Sequence, residues 1–307
     1  MRVIFTLLLV GLMFGPSPAF SGIPHLVYFK VFNEGGGSPL EESTLLYAFN
    51  LARPGEFLNK SSVGNGYKMV LEGGWAWVEV GNFVNPWTVG EKLRFILIDT
   101  LTDETNAVEV VLSGSGAQFL SDLHLLSGDR VGPRTYGTLV NGSNPASIPL
   151  GTATFTLSAS VDDSISGSSP LQSAEYFIDS DPGPGAGTGM QAKDGVFDSP
   201  QEEVTVVVDA SPWASGSPHT VYVRGKDAAG NWGTTHKVLV SVWIPLPGDA
   251  NGDDKVDTAD IFYLINTLFA NGPAPIGDGD ANGDGKTNVR DVFYLINYLF
   301  ANGPPPM

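Results

Sequence analysis

The chain has 307 residues, 42% of them hydrophobic, with no cysteine and a formal net charge of −17. That length holds two or three domains with sizeable cores, and so hydrophobic a composition excludes a disordered chain. The missing cysteines exclude disulfides, thiol chemistry and a lipidated cysteine anchor, and the acidity opposes nucleic acid and anionic membranes, which require basic patches.

The amino end reads MRVIFTLLLVGLMFGPSPAFSG: one basic residue, Arg2, an apolar run from Val3 to Phe14, then small residues suited to cleavage after Ala19 or Ser21. This pattern predicts a secretory signal peptide over residues 1–21. The apolar run is shorter than the roughly 18–20 residues that cross a bilayer, and no later segment approaches that length. The expectation is a protein without a membrane span that is secreted or held at the cell surface.

Residues 22–244 are rich in Val, Thr, Gly and Ser, fall into short runs of strand character, and show no long amphipathic helix. Such a pattern predicts all-β sandwiches. In the first part, 22–128, strands are expected at 25–33, 44–51, 75–80, 93–99 and 107–113, with turn signals at Arg53-Pro54-Gly55, Gly73-Gly74 and Gly90. The turn-forming SGDRVGP segment then divides the chain. In the second part, 130–244, strands are expected at 152–161, 174–179, 202–209, 219–227 and 236–243. Its VRGKDAAGNWG, residues 223–233, together with AEYFID, resembles the late strand-and-turn segment of bacterial immunoglobulin-like or fibronectin-type repeats. That resemblance implies a spacer or binding sandwich and brings no catalytic residues.

In GWAWVEVG, strand alternation places Trp75, Trp77 and Glu79 on one face and Ala76, Val78 and Val80 on the other. The aliphatic face reads as core, which leaves two neighbouring indoles as a candidate platform for stacking on sugar rings. The competing expectation is that Trp87 and Phe83 fold over the pair and cover it. Signals for catalysis are sparse. The four histidines, His25, His124, His219 and His236, lack zinc spacing, and no nucleophile elbow, P-loop or dinucleotide fingerprint occurs. PGPGAGTG, residues 182–189, lacks the helix a phosphate cradle needs and reads as a long loop. Glu72, Glu79, Glu202 and Glu203 supply carboxylates for a glycosidase, but nothing in the sequence pairs them.

The carboxyl end carries a duplication at an offset of 31 residues: DANGDDKVDTAD from Asp249 and DANGDGKTNVRD from Asp280, each followed by an apolar run and Asn-Gly-Pro. Oxygen-bearing side chains recur at loop positions 1, 3, 5, 9 and 12: Asp249, Asn251, Asp253, Asp257 and Asp260, then Asp280, Asn282, Asp284, Asn288 and Asp291. Position 7, Lys255 and Lys286, offers a backbone carbonyl. Calcium takes about 6–8 oxygens at 2.3–2.6 Å, and this alternation wraps them round one ion per loop, so two Ca²⁺ are expected. After each loop, Ile261, Phe262, Leu264, Ile265, Leu268 and Phe269, and the equivalent Val292, Phe293, Leu295, Ile296, Leu299 and Phe300, form a wide helical stripe. Face-to-face packing of the two stripes is the simplest expectation.

Two loop–helix repeats without the entering helix of an EF-hand, with Asp at position 12, resemble a dockerin domain over residues 246–307. The resemblance implies a calcium-dependent plug that attaches a secreted bacterial protein to a cohesin-type protein module. Where well-studied dockerins carry Ser-Thr at positions 10 and 11 and basic residues near 17 and 18, this chain has Thr258-Ala259 and Val289-Arg290, then Ile265-Asn266 and Ile296-Asn297.

The fold expected from the whole sequence is mainly β: two immunoglobulin-like β-sandwiches followed by a small α-helical dockerin-like domain. The function expected is a secreted, non-catalytic modular protein, its paired helices offering Tyr263, Asn266, Tyr294 and Asn297 to the cohesin. Its sandwiches would serve as spacers or as ligand- or carbohydrate-binding units. The alternative is a component of a polysaccharide-degrading system with glycoside hydrolase activity in the β-rich region.

Overall fold

In LVYFKVF, residues 26–32, every second side chain is apolar, and the computed structural model buries Val27, Phe29 and Val31 completely while their neighbours stay half-exposed. Residues 25–60, 69–114, 116–213 and 217–307 are described. The expected signal peptide lies outside them.

The first sandwich begins with β1 (Leu26–Phe32), β2 (Thr44–Asn50), β3 (Phe57–Asn59), β4 (Met69–Glu72) and β5 (Trp75–Glu79). It continues with β6 (Lys92–Asp99), β7 (Glu104–Val111), β8 (Ala117–Phe119), β9 (Leu123–His124) and β10 (Leu126–Ser127). One layer runs β4-β5-β1-β8, with β9 also on β1, and the other runs β10-β7-β6-β2-β3. In order and pairing, β1 to β7 follow an immunoglobulin domain from its second strand onward. Among the described residues, the place beside β1 that the first strand of such a domain would occupy is taken by β8 and β9, which run parallel to it. The core between the layers includes Phe29, Leu71, Val78, Phe95, Leu97 and Trp87.

The second sandwich contains β11 (Arg134–Val140), β12 (Ala146–Pro149), β13 (Thr154–Asp162), β14 (Leu171–Ile178), β15 (Thr188–Ala192), β16 (Gln201–Asp209), β17 (His219–Asp227) and β18 (His236–Trp243). Strands β11, β13 and β16 make one layer; β14, β17, β18 and β12 make the other; β15 bonds to both β14 and β16. The chain changes layers between β11 and β12, so that β12 lies parallel to β18. This is immunoglobulin-like connectivity throughout, closed over a core that includes Phe155, Leu157, Val161, Val204, Val223 and Val240.

The two sandwiches touch through a small apolar cluster: Phe49 and Ile96 from β2 and β6, Val131 from the joining segment, and Ile165 from the turn after β13. Arg134 reinforces it, donating to the Pro54 carbonyl at 3.3 Å and standing over the rings of Phe49 and Phe57 at 5.3 and 5.6 Å. Beyond β18, helices α1 (Thr258–Phe269) and α2 (Val289–Ala301) pack on each other over Ile261, Leu264, Val292 and Leu295, with Ala250 and Ala281 beneath.

Candidate metal centre and docking face

Each loop of the C-terminal duplication folds round its first aspartate. The backbone N–H groups of Gly252 and Asp253 donate to Asp249 Oδ1 at 2.8 and 3.1 Å, and that of Asp254 to Oδ2 at 2.8 Å. In the second loop Asp284 and Gly285 donate to Asp280 Oδ1 and Oδ2 at 3.1 and 2.6 Å. Positions 3 and 5 continue the wrap: Asp253 N–H donates to Asn251 and Lys255 N–H to Asp253, with equivalents at Asp284–Asn282 and Lys286–Asp284. The sharp turn at position 6 needs positive φ. Asp254 takes it at 64° and Gly285 at 79°.

Positions 9 and 12 have a second task, which the ligand spacing alone did not reveal. Asp257 and Asn288 are the N-caps of α1 and α2, and Asp260 and Asp291 close capping boxes by accepting from the N-cap backbone at 2.8 and 2.7 Å. The same two carboxylates reach back across the loop to accept from Asn251 and Asn282 N–H at 3.1 and 3.2 Å. One carboxylate therefore ties helix start to loop start in each repeat. The sequence signal was present as Asp-x-x-Asp and Asn-x-x-Asp before an apolar run.

Among these side chains Asp249, Asp260 and Asp291 are fully buried. Burial pushes the Asp260 carboxyl up, and the charge of Asp249 adds to the effect. Carboxylates and amide oxygens, with no nitrogen or sulfur donor among them, are hard ligands suited to calcium, and their crowding is what a divalent cation relieves. Asn288 Nδ2 donates to the Lys286 carbonyl at 3.3 Å, so positions 7 and 9 meet at one point.

The duplication extends to the clamps that close each unit. Ile276 N–H donates to Ala250 O and, 31 residues on in both partners, Met307 N–H donates to Ala281 O, at 3.1 and 3.3 Å. Tyr263 and Tyr294 donate through their hydroxyls to the carbonyls of Ala274 and Pro305 at 3.1 and 3.2 Å.

Residues 247–300 match the family model of the dockerin type I domain. This C-terminal segment is a dockerin type I domain. Dockerin type I domains are calcium-binding modules, and their presence implies a cohesin partner.

No curated protein matches the chain. Among solved structures, a point-mutant SrpA adhesin from Streptococcus sanguinis is 16% identical, covers 40% of this chain at a TM-score of 0.26, and is itself spanned over only 65% of its length. A DUF3823 family protein from Bacteroides ovatus is 9% identical, with 71% of this chain and 98% of that one covered, at 0.28. The fibronectin(III)-like modules of Clostridium thermocellum CbhA are 12% identical, with 71% and 91% covered, at 0.26. At these TM-scores the three carry no argument about this chain.

The dockerin helices do not pack as the apolar stripe predicted. Ile261, Leu264 and their equivalents Val292 and Leu295 enter the core, but Phe262, Phe269, Phe293 and Phe300 remain 69, 68, 65 and 68% exposed, with Ile265 and Ile296 beside them. A stripe that wide cannot all face one partner helix, so each helix splits it into a buried edge and a naked one. The expected polar presentation is corrected accordingly. Tyr263 and Tyr294 are half-buried and engaged by the clamps, and only Asn266 and Asn297 join the exposed side.

On the first sandwich, Ala76, Val78 and Val80 are in the core, and Trp75 and Trp77 stand on the outer face of β5. Trp87 and Phe83 do not cover them, since both are buried between the layers. Instead Tyr28 and Phe119 extend the platform: Tyr28 lies opposite Trp77 with ring centroids 6.3 Å apart and stacks on Phe119 at 5.1 Å. Together with Glu72 and Gly73 they line an open groove of about 490 Å³, and Lys30 Nζ sits 5.1 Å from the Trp75 ring centre.

Between the sandwiches lies a cleft of about 1150 Å³ whose lining includes Glu91, Glu109 and Asp181. Each of these carboxylates has its own cation: Arg53 at 2.5 Å from Glu91, Lys92 at 3.8 Å from Glu109, and Arg224 at 3.0 Å from Asp181. Of the other acids considered for glycosidase work, Glu202 accepts from Asp198 and Ser199 N–H, and Glu203 pairs with Lys193.

Proposed function

We propose that this chain is a secreted, non-catalytic modular protein that docks to a cohesin through its dockerin when two Ca²⁺ ions fill the cages Asp249–Asp260 and Asp280–Asp291. In each cage the side chains at positions 1, 3, 5, 9 and 12 and the carbonyl at position 7 would be the ligands. The observation that carries the reading is the duplicated surface of Phe262, Ile265 and Phe269 with Phe293, Ile296 and Phe300: six apolar side chains left in solvent on a pair of short helices held at their starts by carboxylate loops. An exposed apolar patch of this kind marks a protein–protein contact, and the contact depends on loops whose buried carboxylates call for a cation. The division proposed is a leader at 1–21, sandwiches at 22–128 and 130–244, and the dockerin at 246–307.

Calorimetry of the chain with a panel of cohesins tests this directly. Binding is expected in calcium and absent in chelator. Phe262→Ala/Phe293→Ala is expected to keep the far-UV helix signal and weaken docking by at least about tenfold, the loss of roughly 1.4 kcal/mol. Undiminished binding by that variant would remove the apolar face from the mechanism, and no cohesin binding in calcium would remove the function.

A carbohydrate role for the first sandwich is favoured by the Trp75–Trp77–Tyr28–Phe119 groove, which is open, aromatic and flanked by Glu72. Sugar rings stack on such surfaces through their C–H faces while polar groups at the rim take hydroxyls. On a glycan array the chain is expected to show binding that Trp75→Ala/Trp77→Ala abolishes without altering thermal stability. Equal signals from both proteins would assign the groove another use.

A further inference from the structure

Three carboxylates converge where the two sandwiches join. Asp129 comes from the joining segment, Asp163 from the turn after β13 and Asp227 from the end of β17, and one ligand oxygen of each lies within 4.8 Å of the others. Asp163 and Asp227 are fully buried. Most of their oxygens are satisfied: Val131 N–H and the Ser169 hydroxyl donate to Asp129 at 3.0 and 2.5 Å, Asn231 N–H and Nδ2 to Asp227 at 2.8 and 3.0 Å, and Ser169 N–H to Asp163 Oδ2 at 2.8 Å. Asp163 Oδ1 is the exception, buried and without any hydrogen-bond partner, and Ser166 Oγ in the same turn is likewise unpartnered.

A buried carboxylate oxygen beside two further carboxylates is the arrangement proteins avoid unless a cation completes it. The nearby arginines do not. Arg134 is committed to Asp162 at 2.7 Å, and Arg94 feels the charge of Asp163 but leaves its Oδ1 unbonded.

We propose that the junction of the two sandwiches is a third calcium site, held by Asp129, Asp163 and Asp227. The donors are all hard oxygens, which selects calcium or magnesium over transition metals. The Ser169 hydroxyl and the Asn231 amide already sit on these carboxylates, and the Asp129 carbonyl, which accepts from Asn231 Nδ2 at 3.1 Å, lies in the same knot. A shell drawn largely from buried protein oxygens favours calcium, because magnesium keeps several of its waters. The ion would fasten the joining segment to the second sandwich and so fix the angle at which the Phe49–Ile96–Val131 contact holds the first.

The two kinds of calcium site report separately. All six tryptophans lie in the sandwiches and none in the dockerin, whereas α1 and α2 are the helices that follow the dockerin loops. Native mass spectrometry of the full chain in calcium is expected to count three ions, falling to two in Asp163→Asn and to one in Asp260→Asn/Asp291→Asn. Calcium is further expected to raise the melting midpoint followed by tryptophan emission in wild type and in the dockerin-loop variant, but not in Asp163→Asn. In chelator Asp163→Asn should melt no lower than wild type, because it relieves the crowding. Two ions in wild type, or a tryptophan melt that ignores calcium, would overturn the junction site while leaving the dockerin reading intact. Loss of the helix-linked ions alone would do the reverse.

Discussion

Chelating calcium is expected to melt α1 and α2 and to abolish docking while both sandwiches stay folded. The dockerin segment is about sixty residues long, and its fully apolar core is six side chains: Ala250, Ile261, Leu264, Ala281, Val292 and Leu295. A core in a domain this small supplies at most about 3–5 kcal/mol. Helices of 12 and 13 residues are marginal on their own. Against this, an ion present at a thousand times its dissociation constant contributes about 4.1 kcal/mol per site, so the two proposed sites would contribute about 8 kcal/mol. The metal term exceeds the core term, and without it the buried Asp249, Asp260 and Asp291 are left crowded in place. Asp260→Ala should act more severely than Asp253→Ala, because it removes a proposed ligand, the capping-box acceptor and the bridge to Asn251 at once. Circular dichroism at the helix minimum with and without chelator measures the first effect. Tryptophan emission at the working temperature, blind to this segment, checks that both sandwiches stay folded. A helix signal indifferent to chelator would refute the coupling.

The fold class was legible because the long strands announce themselves. The alternation in 25–33, 44–51, 93–99, 219–227 and 236–243 returns as β1, β2, β6, β17 and β18, since each buries one face against a sandwich core. What escaped were strands without that signature. β3, β8, β9 and β10 are two or three residues long and β4 only four; β11 contains Gly137 at a bulge; β12 ends on Pro149; and β15 carries Gly189 between exposed Thr188 and buried Met190. Edge positions need little alternation, and glycine or proline there reads as loop. At the dockerin, residue spacing told which side chains belong to one loop. It did not say how wide a stripe two helices can share, so Phe262 and Phe293 were assigned to an interface that Ile261 and Val292 already fill. The junction carboxylates were invisible for a different reason: Asp129, Asp163 and Asp227 are 34 and 64 residues apart, and only the meeting of two turns with the joining segment brings them together.

Glu175→Ala and Arg224→Ala are each expected to cost about 3–5 kcal/mol, the price of leaving one member of a buried ion pair alone. Glu175 and Arg224 are register partners on β14 and β17, with side chains 5 and 4% exposed and Arg224 Nε 2.6 Å from Glu175 Oε1. Glu175 also accepts from Gly185 and Gly187 N–H at 3.0 and 2.9 Å, while Arg224 reaches Asp181 and the Gly183 carbonyl and stands 4.8 Å over the Phe177 ring. The glycine-rich loop from 182 to 187, which runs into β15 at Thr188 rather than extending to 189, is therefore wound round this pair, and its Gly185 and Gly187 N–H groups donate to a side chain of the same domain rather than to a phosphate. Alanine at either position strands the opposite charge in the β14–β17 layer and frees the loop, a loss of about a third of the stability of an ordinary domain. The double variant Glu175→Met/Arg224→Met should recover most of it, because the desolvation penalty disappears with the charges. Urea unfolding followed by tryptophan emission reads all three variants: a double variant as unstable as the sum of the singles would mean that the loop's hydrogen bonds to Glu175, rather than charge burial, hold this side of the sandwich.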